Sequence, residues 1–334
     1  MLLDVFQSPL WTELDAATPW HLQHLADGVK GSVFFTKADG TTKTYLSGFN
    51  CWKLWAVSNG LVHLPVNPFH FAMYLQNLCN EASSPSPILN AVYSIDWVHG
   101  LSGYEKLSGH CLIQATMNAC KRILSKPKSR KEPITPEMLL KLAEKFKDKY
   151  TVANCRMLAI CLVGFAGFLR FSELCSIRAC DVLFFHSHCA IFLESSKTDQ
   201  LREGSWINIA RTSKITCPVS ALEKYLEVAN IKADEEGPVF RSLAPPNSSG
   251  KVRKDGISYT RARELVKEAF EGITDVSKIS LHSLRSGGAT AAANAGIPDR
   301  LFKRHGRWAS ENAKDCYVKD NLEAMLSVTK SLGV

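Results

Sequence analysis

Apolar and aromatic positions divide this chain into stretches of differing period. Tyr45, Phe49, Trp52 and Trp55 recur at helical spacing, and apolar stretches at 69–78, 88–99 and 109–123 continue the pattern, so this part reads as a module of four or five helices. In the last stretch Leu112, Ile113, Met117, Cys120 and Ile123 share one helical face. Rings at such spacing with few Lys or Arg between them mark a core face rather than a base-stacking surface. Residues 1–40 give no clear pattern. Further on, Thr135 and Pro136 supply the cap and first position of a helix, and a nearly continuous apolar run from Cys155 to Phe168 reads as a buried one. Cys189 to Glu194 and Trp206 to Ala210 read as strands joined by a polar segment. Pro218 to Val228 and Tyr259 to Phe270 look helical, with a loop from Leu243 to Gly250 between them. The expected fold is mainly α, with a small β-sheet confined to the second domain.

Between these halves, residues 125–134 carry two prolines and lack large apolar side chains until their end, the composition of an extended, exposed linker. Its basic residues Lys126, Lys128, Arg130 and Lys131 suit a solvated connector, a nuclear-localisation signal or a strap across a nucleic-acid backbone. The expected division is an N-terminal extension at 1–40, a helical domain at 41–124, the linker at 125–134 and an α+β domain at 135–334. Net charge is +8, unevenly spread: residues 1–125 hold 7 Lys and Arg against 8 Asp and Glu, and residues 126–334 hold 33 against 24. Phosphate contacts are therefore expected in the second half.

Composition narrows the class. With 46% hydrophobic and 22% charged residues the chain is globular, and no apolar run approaches the roughly 20 residues of a membrane span. The start lacks a signal peptide's basic residues, so a soluble intracellular protein is expected, nuclear in a eukaryote and cytoplasmic otherwise. The 11 cysteines are scattered and lack paired Cys-x-x-Cys knuckles; neither Cys175 with Cys180 nor His186, His188 and Cys189 has a second half-site, so no metal is expected. Phosphate-binding glycine loops, Gly-x-Ser-x-Gly, His-Glu-x-x-His and dinucleotide fingerprints are missing too.

The chemistry-bearing residues come in a telling order. Arg170 sits in Gly-Phe-Leu-Arg-Phe-Ser-Glu-Leu, Lys197 in Ser-Lys-Thr-Asp-Gln, His282 and Arg285 in Leu-His-Ser-Leu-Arg, and Tyr317 in Asp-Cys-Tyr-Val-Lys. Each alone has a plainer explanation. Arg170 can form a surface ion pair with Glu173, although the apolar run before it argues for burial; Lys197 can be solvated; the His282 and Arg285 pair and Tyr317 can be packing residues. Together, two arginines, a lysine and a histidine can neutralise a phosphodiester whose charge grows at the transition state, while a tyrosine oxygen attacks phosphorus.

On these boxes, and on Gly306-Arg307-Trp308 nine positions before Tyr317, the chain resembles the tyrosine recombinases or phage integrases. The phrases Ser-Lys-Thr-Asp-Gln-Leu-Arg-Glu-Gly and Arg-His-Gly-Arg-Trp look more like the recombinases of DIRS-like, Ngaro-like and Crypton mobile elements than like bacterial integrases. The resemblance implies a helical, SAM-like core-binding domain ahead of the catalytic domain, and a cofactor-free cleavage and rejoining of double-stranded DNA by a homotetramer on paired sites. It also implies roles. Arg170 and Arg285 grip the scissile phosphate, Tyr317 attacks, Lys197 protonates the leaving oxygen, and His282 bonds the phosphate or accepts the tyrosine proton. Ser172 and Glu173 brace Arg170. Trp308, where many relatives have histidine, donates to a phosphate oxygen but cannot act as a base; His305 is a weaker candidate for that place. Two alternatives stay open, a domesticated DNA-binding protein of this fold and a monomeric type IB topoisomerase-like enzyme. After Tyr317, an apolar stripe of Leu322, Met325, Leu326 and Val328 needs a groove, on its own domain or on a neighbouring protomer.

Overall fold

The computed structural model describes residues 2–127, 130–196, 199, 203–244, 251–320 and 322–333, and divides into two compact units, Met1–Lys128 and Ser129–Val334. Among the described residues no helix is long and apolar enough to cross a membrane.

Among its described residues, the regular elements of the first unit are all helices. The helices Asp39–Ser58, Pro68–Glu81, Ser86–Leu101 and Cys111–Leu124 enclose Phe49, Trp52, Phe71, Leu75, Ile88, Ile95 and Ile113, all fully buried. The aromatic stripe is thus a core face: Trp52 lies edge-on to Phe71 at 5.3 Å and donates its indole N–H to the His63 carbonyl at 3.0 Å. Gly48 lets Asp39–Ser58 approach Ser86–Leu101, since a β-carbon there would meet the Ser94 hydroxyl at 2.2 Å. Residues 1–40, which showed no motif, join this same core through Val5 and Trp11, whose indole donates to the Leu101 carbonyl at 2.7 Å. Ile123 departs from expectation. It is 68% exposed, and the last helix buries Ile113, Cys120 and Leu124 instead.

In the second unit, Val152–Ala166 is the central helix, buried over most of its circumference and packed against Pro218–Ala229, His282–Asn294 and Pro136–Phe146. The last of these starts as its sequence indicates, with the Thr135 side chain accepting from the Met138 N–H at 3.3 Å. The strands Val182–Phe184, His188–Leu193 and Ser205–Ala210 form an antiparallel sheet in chain order. Leu193 pairs with Ser205, so Lys197 belongs to the connection of the last two strands, and Lys197 itself lies outside the described residues. A second ribbon pairs Arg241–Leu243 with Val252–Gly256 around a connection read from the sequence only as loop.

The expected linker is only partly free. Glu132 N–H donates to the Lys278 carbonyl at 2.8 Å, Ile134 N–H to that of Ser283 at 2.9 Å, and the Ile134 side chain is fully buried. Lys131 donates to the Ser277 carbonyl at 2.6 Å, whereas Lys126 and Arg130 are exposed. Lys128 lies outside the described residues.

Candidate active site

The site is built on the C-terminal end of the central helix. After Ala166 the chain turns through Gly167 and Phe168, the latter at φ 47°, and enters the short helix Phe171–Ser176 with Arg170 as its N-cap residue. Carbonyls at a helix end lack intrahelical partners and favour cations. Here they are taken by side chains from distant segments: His305 Nε2 donates to Ala166 O at 2.8 Å, Arg307 Nη1 to Gly167 O at 3.3 Å, and Arg285 Nη1 to Phe168 O.

The helix carrying Arg285 comes close enough because it presents glycine where it crosses. A β-carbon at Gly288 would meet Phe165 O at 2.1 Å, and one at Gly287 would meet Ile134 O at 2.0 Å. Arg285 is thereby completely buried, with Nη2 donating to Gly306 O at 2.7 Å and Nε without a partner. Burial, and then the neighbouring Arg170, push its pKa down to about 10, which leaves it protonated at neutral pH.

One carboxylate holds the cations together. Glu173, its side chain 1% exposed, accepts from Arg170 Nη1 at 2.6 Å and from Arg170 N–H at 2.9 Å. On its other side it accepts from Arg307 Nη2 at 2.9 Å, and Arg285 Nη1 stands 3.9 Å away. Burial pushes this carboxyl up, but Arg307 and Arg170 outweigh it and hold the group below the ordinary carboxylate range. The Arg170 to Glu173 pair therefore exists, but as a buried bridge rather than a surface one. Ser172 is exposed, and Glu173 alone of the two expected braces is hydrogen-bonded to Arg170.

Trp308 and Tyr317 close the site over Arg285. The guanidinium lies 4.8 Å from the Trp308 ring centroid and 4.9 Å from that of Tyr317, and the two rings are 5.8 Å apart. Trp308 is 5% exposed and packs on Phe302 and Phe168, yet its indole N–H has no partner, a buried donor placed beside the arginines. Tyr317 is half-buried. It follows the short helix Glu311–Asp315, and Thr290 fixes its backbone by donating to Tyr317 O at 3.3 Å and accepting from Lys319 N–H at 3.1 Å. His282 is exposed at the first position of His282–Asn294, one turn before Arg285.

The structure thus brings Arg170, Glu173, Arg285, Trp308 and Tyr317 into one cluster, while His282 stands exposed one turn before Arg285 on the same helix. His305 is engaged elsewhere: it donates from Nε2 to Ala166 O and meets the Phe168 ring edge-on at 4.6 Å, while burial holds its pKa below the ordinary histidine value. It serves as a neutral strut. Sequence reasoning passed over Arg307, noticing only the glycine and tryptophan on either side of it. Chemically, the cluster offers planar cationic donors, a neutral N–H donor and a phenol, a set suited to a tetrahedral oxyanion.

Comparison with known proteins places the chain in a family. Residues 132–323 match the model of the phage integrase family. The chain is 31% identical over 290 residues, 85% of its length and 82% of the relative's, to an integrase/recombinase xerD homolog of Selenomonas ruminantium. Among solved structures it is similar to a XerH site-specific recombinase bound to a palindromic difH substrate in a post-cleavage complex, with a TM-score of 0.56 at 13% identity over 86% of this chain and 77% of that one. A lambda integrase dimer bound to a COC′ core site gives 0.52 at 16% identity over 94% and 81%. At these identities the structures speak for the fold, but the family match and the xerD-like relative go further: this chain belongs to the phage integrase family, the tyrosine recombinases.

Proposed function

We propose that this protein cleaves and rejoins double-stranded DNA through a 3′-phosphotyrosyl intermediate on Tyr317, in site-specific recombination or integration of a mobile element. The observation that carries the reading is the stacking of the Tyr317 ring on Arg285, beside the unpartnered Trp308 indole and next to Arg170. In the free protein the phenol covers the guanidinium. On DNA the ring moves aside, Arg285 and Arg170 take the non-bridging oxygens of the scissile phosphate, and the Trp308 N–H donates to one of these oxygens as well. The Tyr317 oxygen then attacks phosphorus in line and gives up its proton, with His282 placed at the rim to receive it. The bond from phosphorus to the 5′ oxygen breaks and Lys197 protonates the leaving oxygen. Reversal with a second 5′ hydroxyl reseals the strand, so the ester energy is conserved.

The tail supports assembly of several copies rather than a monomeric topoisomerase. In Leu322–Lys330 the stripe residues Leu322, Met325, Leu326 and Val328 are 42% to 67% exposed. An open groove of about 900 Å³ on the same unit is lined in part by Trp206, Ile297, Leu301 and Phe302. A tail from a second copy seated there would join protomers into the tetramer that exchanges strands. The Lys197 and Arg304 to Trp308 phrases favour an element of the DIRS-like, Ngaro-like or Crypton kind.

The test is a nicked suicide duplex bearing the element's termini, followed by a denaturing gel. Wild-type protein should form a covalent adduct, and Tyr317→Phe should form none while binding DNA nearly as well. Adduct formation by the Phe variant would remove Tyr317 from the mechanism.

A further inference from the structure

Arg307 occupies a backbone conformation that ordinarily goes to glycine. It ends the helix Asp299–Gly306 at φ 55° and ψ 44°, where its N–H donates to Arg304 O at 3.1 Å. A left-handed residue after a helix is usually glycine because any β-carbon there is strained, so an arginine at this place asks what its side chain does in return. The side chain, 10% exposed, spreads over four acceptors. Nη1 donates to His305 O at 2.8 Å and Gly167 O at 3.3 Å, and Nη2 to Glu173 Oε2 at 2.9 Å and Phe168 O at 3.2 Å. The same Phe168 carbonyl accepts from Arg285, and the same Glu173 oxygen accepts from the Arg170 N–H at 2.9 Å.

We propose that Arg307 is a positioning residue that sets Arg170 and Arg285 for the scissile phosphate by clamping Glu173 and the Gly167 to Phe168 turn. The proposal rests on the recombinase reading above. Both Arg307 Nη atoms are taken by protein acceptors; its fork joins the turn, which fixes Arg285, to the carboxylate, which fixes Arg170. A lysine cannot do this, because a single ammonium reaches a carboxylate but does not span it and two carbonyls in one plane. The charged groups facing Glu173 are Arg170 on its own helix, Arg285 at 3.9 Å and Arg307; His305 flanks Arg307 and Tyr317 flanks Arg285. Arg307 is foremost among the charges that keep the carboxyl ionised.

The test compares Arg307→Gly, which suits the left-handed backbone, with Arg307→Lys, which keeps only the charge. Adduct formation at saturating suicide duplex should slow by about 10²-fold in the glycine variant, the cost of small misplacement of reacting groups, while DNA affinity changes by less than about threefold. The acid limb of its rate profile should move to higher pH. The lysine variant should restore that limb but not the rate. Carboxyl NMR of the free proteins reads the cause directly, with Glu173 titrating at higher pH in Arg307→Gly than in wild type. Unchanged rate and acid limb in the glycine variant, or an unmoved Glu173 titration, would overturn the proposal. If wild type forms no adduct, the recombinase reading fails and the Glu173 titration still decides the clamp. Should Arg307→Gly misfold, Arg307→Gln carries the same readouts.

Discussion

Arg170, Arg285 and Arg307 converge on one buried carboxylate from three separate segments, and the guanidiniums of Arg285 and Arg307 also donate to backbone carbonyls of the turn after the central helix. Tyr317 arrives quite differently. It follows a five-residue helix tied to Asp299–Gly306 by the ion pairs Lys303 to Glu311 at 2.6 Å and Lys314 to Asp299, while one threonine hydroxyl holds its own backbone and its ring lies against Trp308. Paired charges deep in a protein are hard to rearrange, whereas exposed ion pairs contribute little and weaken with salt. The contrast separates two tasks. Under the proposed function, the arginines that would grip the phosphate are fixed before DNA binds, and Tyr317 is held lightly enough to leave its resting place on Arg285.

This contrast can be broken at either end, most severely at Arg285. Arg285→Lys should cut adduct formation by about 10³-fold, since a charge remains but the planar donors are lost. A loss under about tenfold would show that the fork is dispensable. Glu173→Gln should act on stability: removing the single anion among three cations should cost about 3 kcal/mol or more, read as a lower denaturant midpoint. It should also flatten the acid side of the stability profile. Glu173 binds its proton less readily folded than unfolded, so it stabilises the fold above the ordinary carboxylate pKa, and that contribution disappears as pH falls through its lowered folded value. A Gln variant with the wild-type acid slope would show that another carboxylate governs it. The smallest effect belongs to the nucleophile's staple. Thr290→Val removes both hydroxyl bonds to the Tyr317 segment, worth about 1 kcal/mol each, and should slow cleavage roughly tenfold without altering thermal stability of the unit by more than a few degrees. Faster cleavage in that variant would mean that release, rather than placement, limits the reaction.

Much of this arrangement was legible because it obeys local rules. The Thr135 cap, the apolar run into Arg170, the strand pair flanking the Lys197 segment and the stripe of the first unit each follow from period and turn chemistry. What was hidden depends on tertiary partners. Val252–Gly256 reads Val-Arg-Lys-Asp-Gly, with no alternation to betray a strand, because almost all of it is exposed. Residues 1–40 bury a few scattered residues such as Val5 and Trp11, too sparse for a periodic signal. Ile123 looked like a core position, yet Leu124 one place on is the residue turned inward. Arg307 shows no mark in sequence, since neither a left-handed backbone nor a shared carboxylate can be seen before the chain is folded.

The tilted contact of Trp308 with Tyr317 makes the molecule its own optical gauge. Of the 7 tryptophans only Trp206 and Trp308 belong to the second unit, the former 56% exposed and the latter 5%. Indole emission responds to nearby aromatic rings and cations, so when the phenol departs from Arg285 the light from Trp308 must change while that from Trp206 need not. With Trp206 and the five tryptophans of the first unit replaced by phenylalanine, a stopped-flow fluorescence trace would time the departure of Tyr317 separately from bond breakage, with no dye attached to protein or DNA.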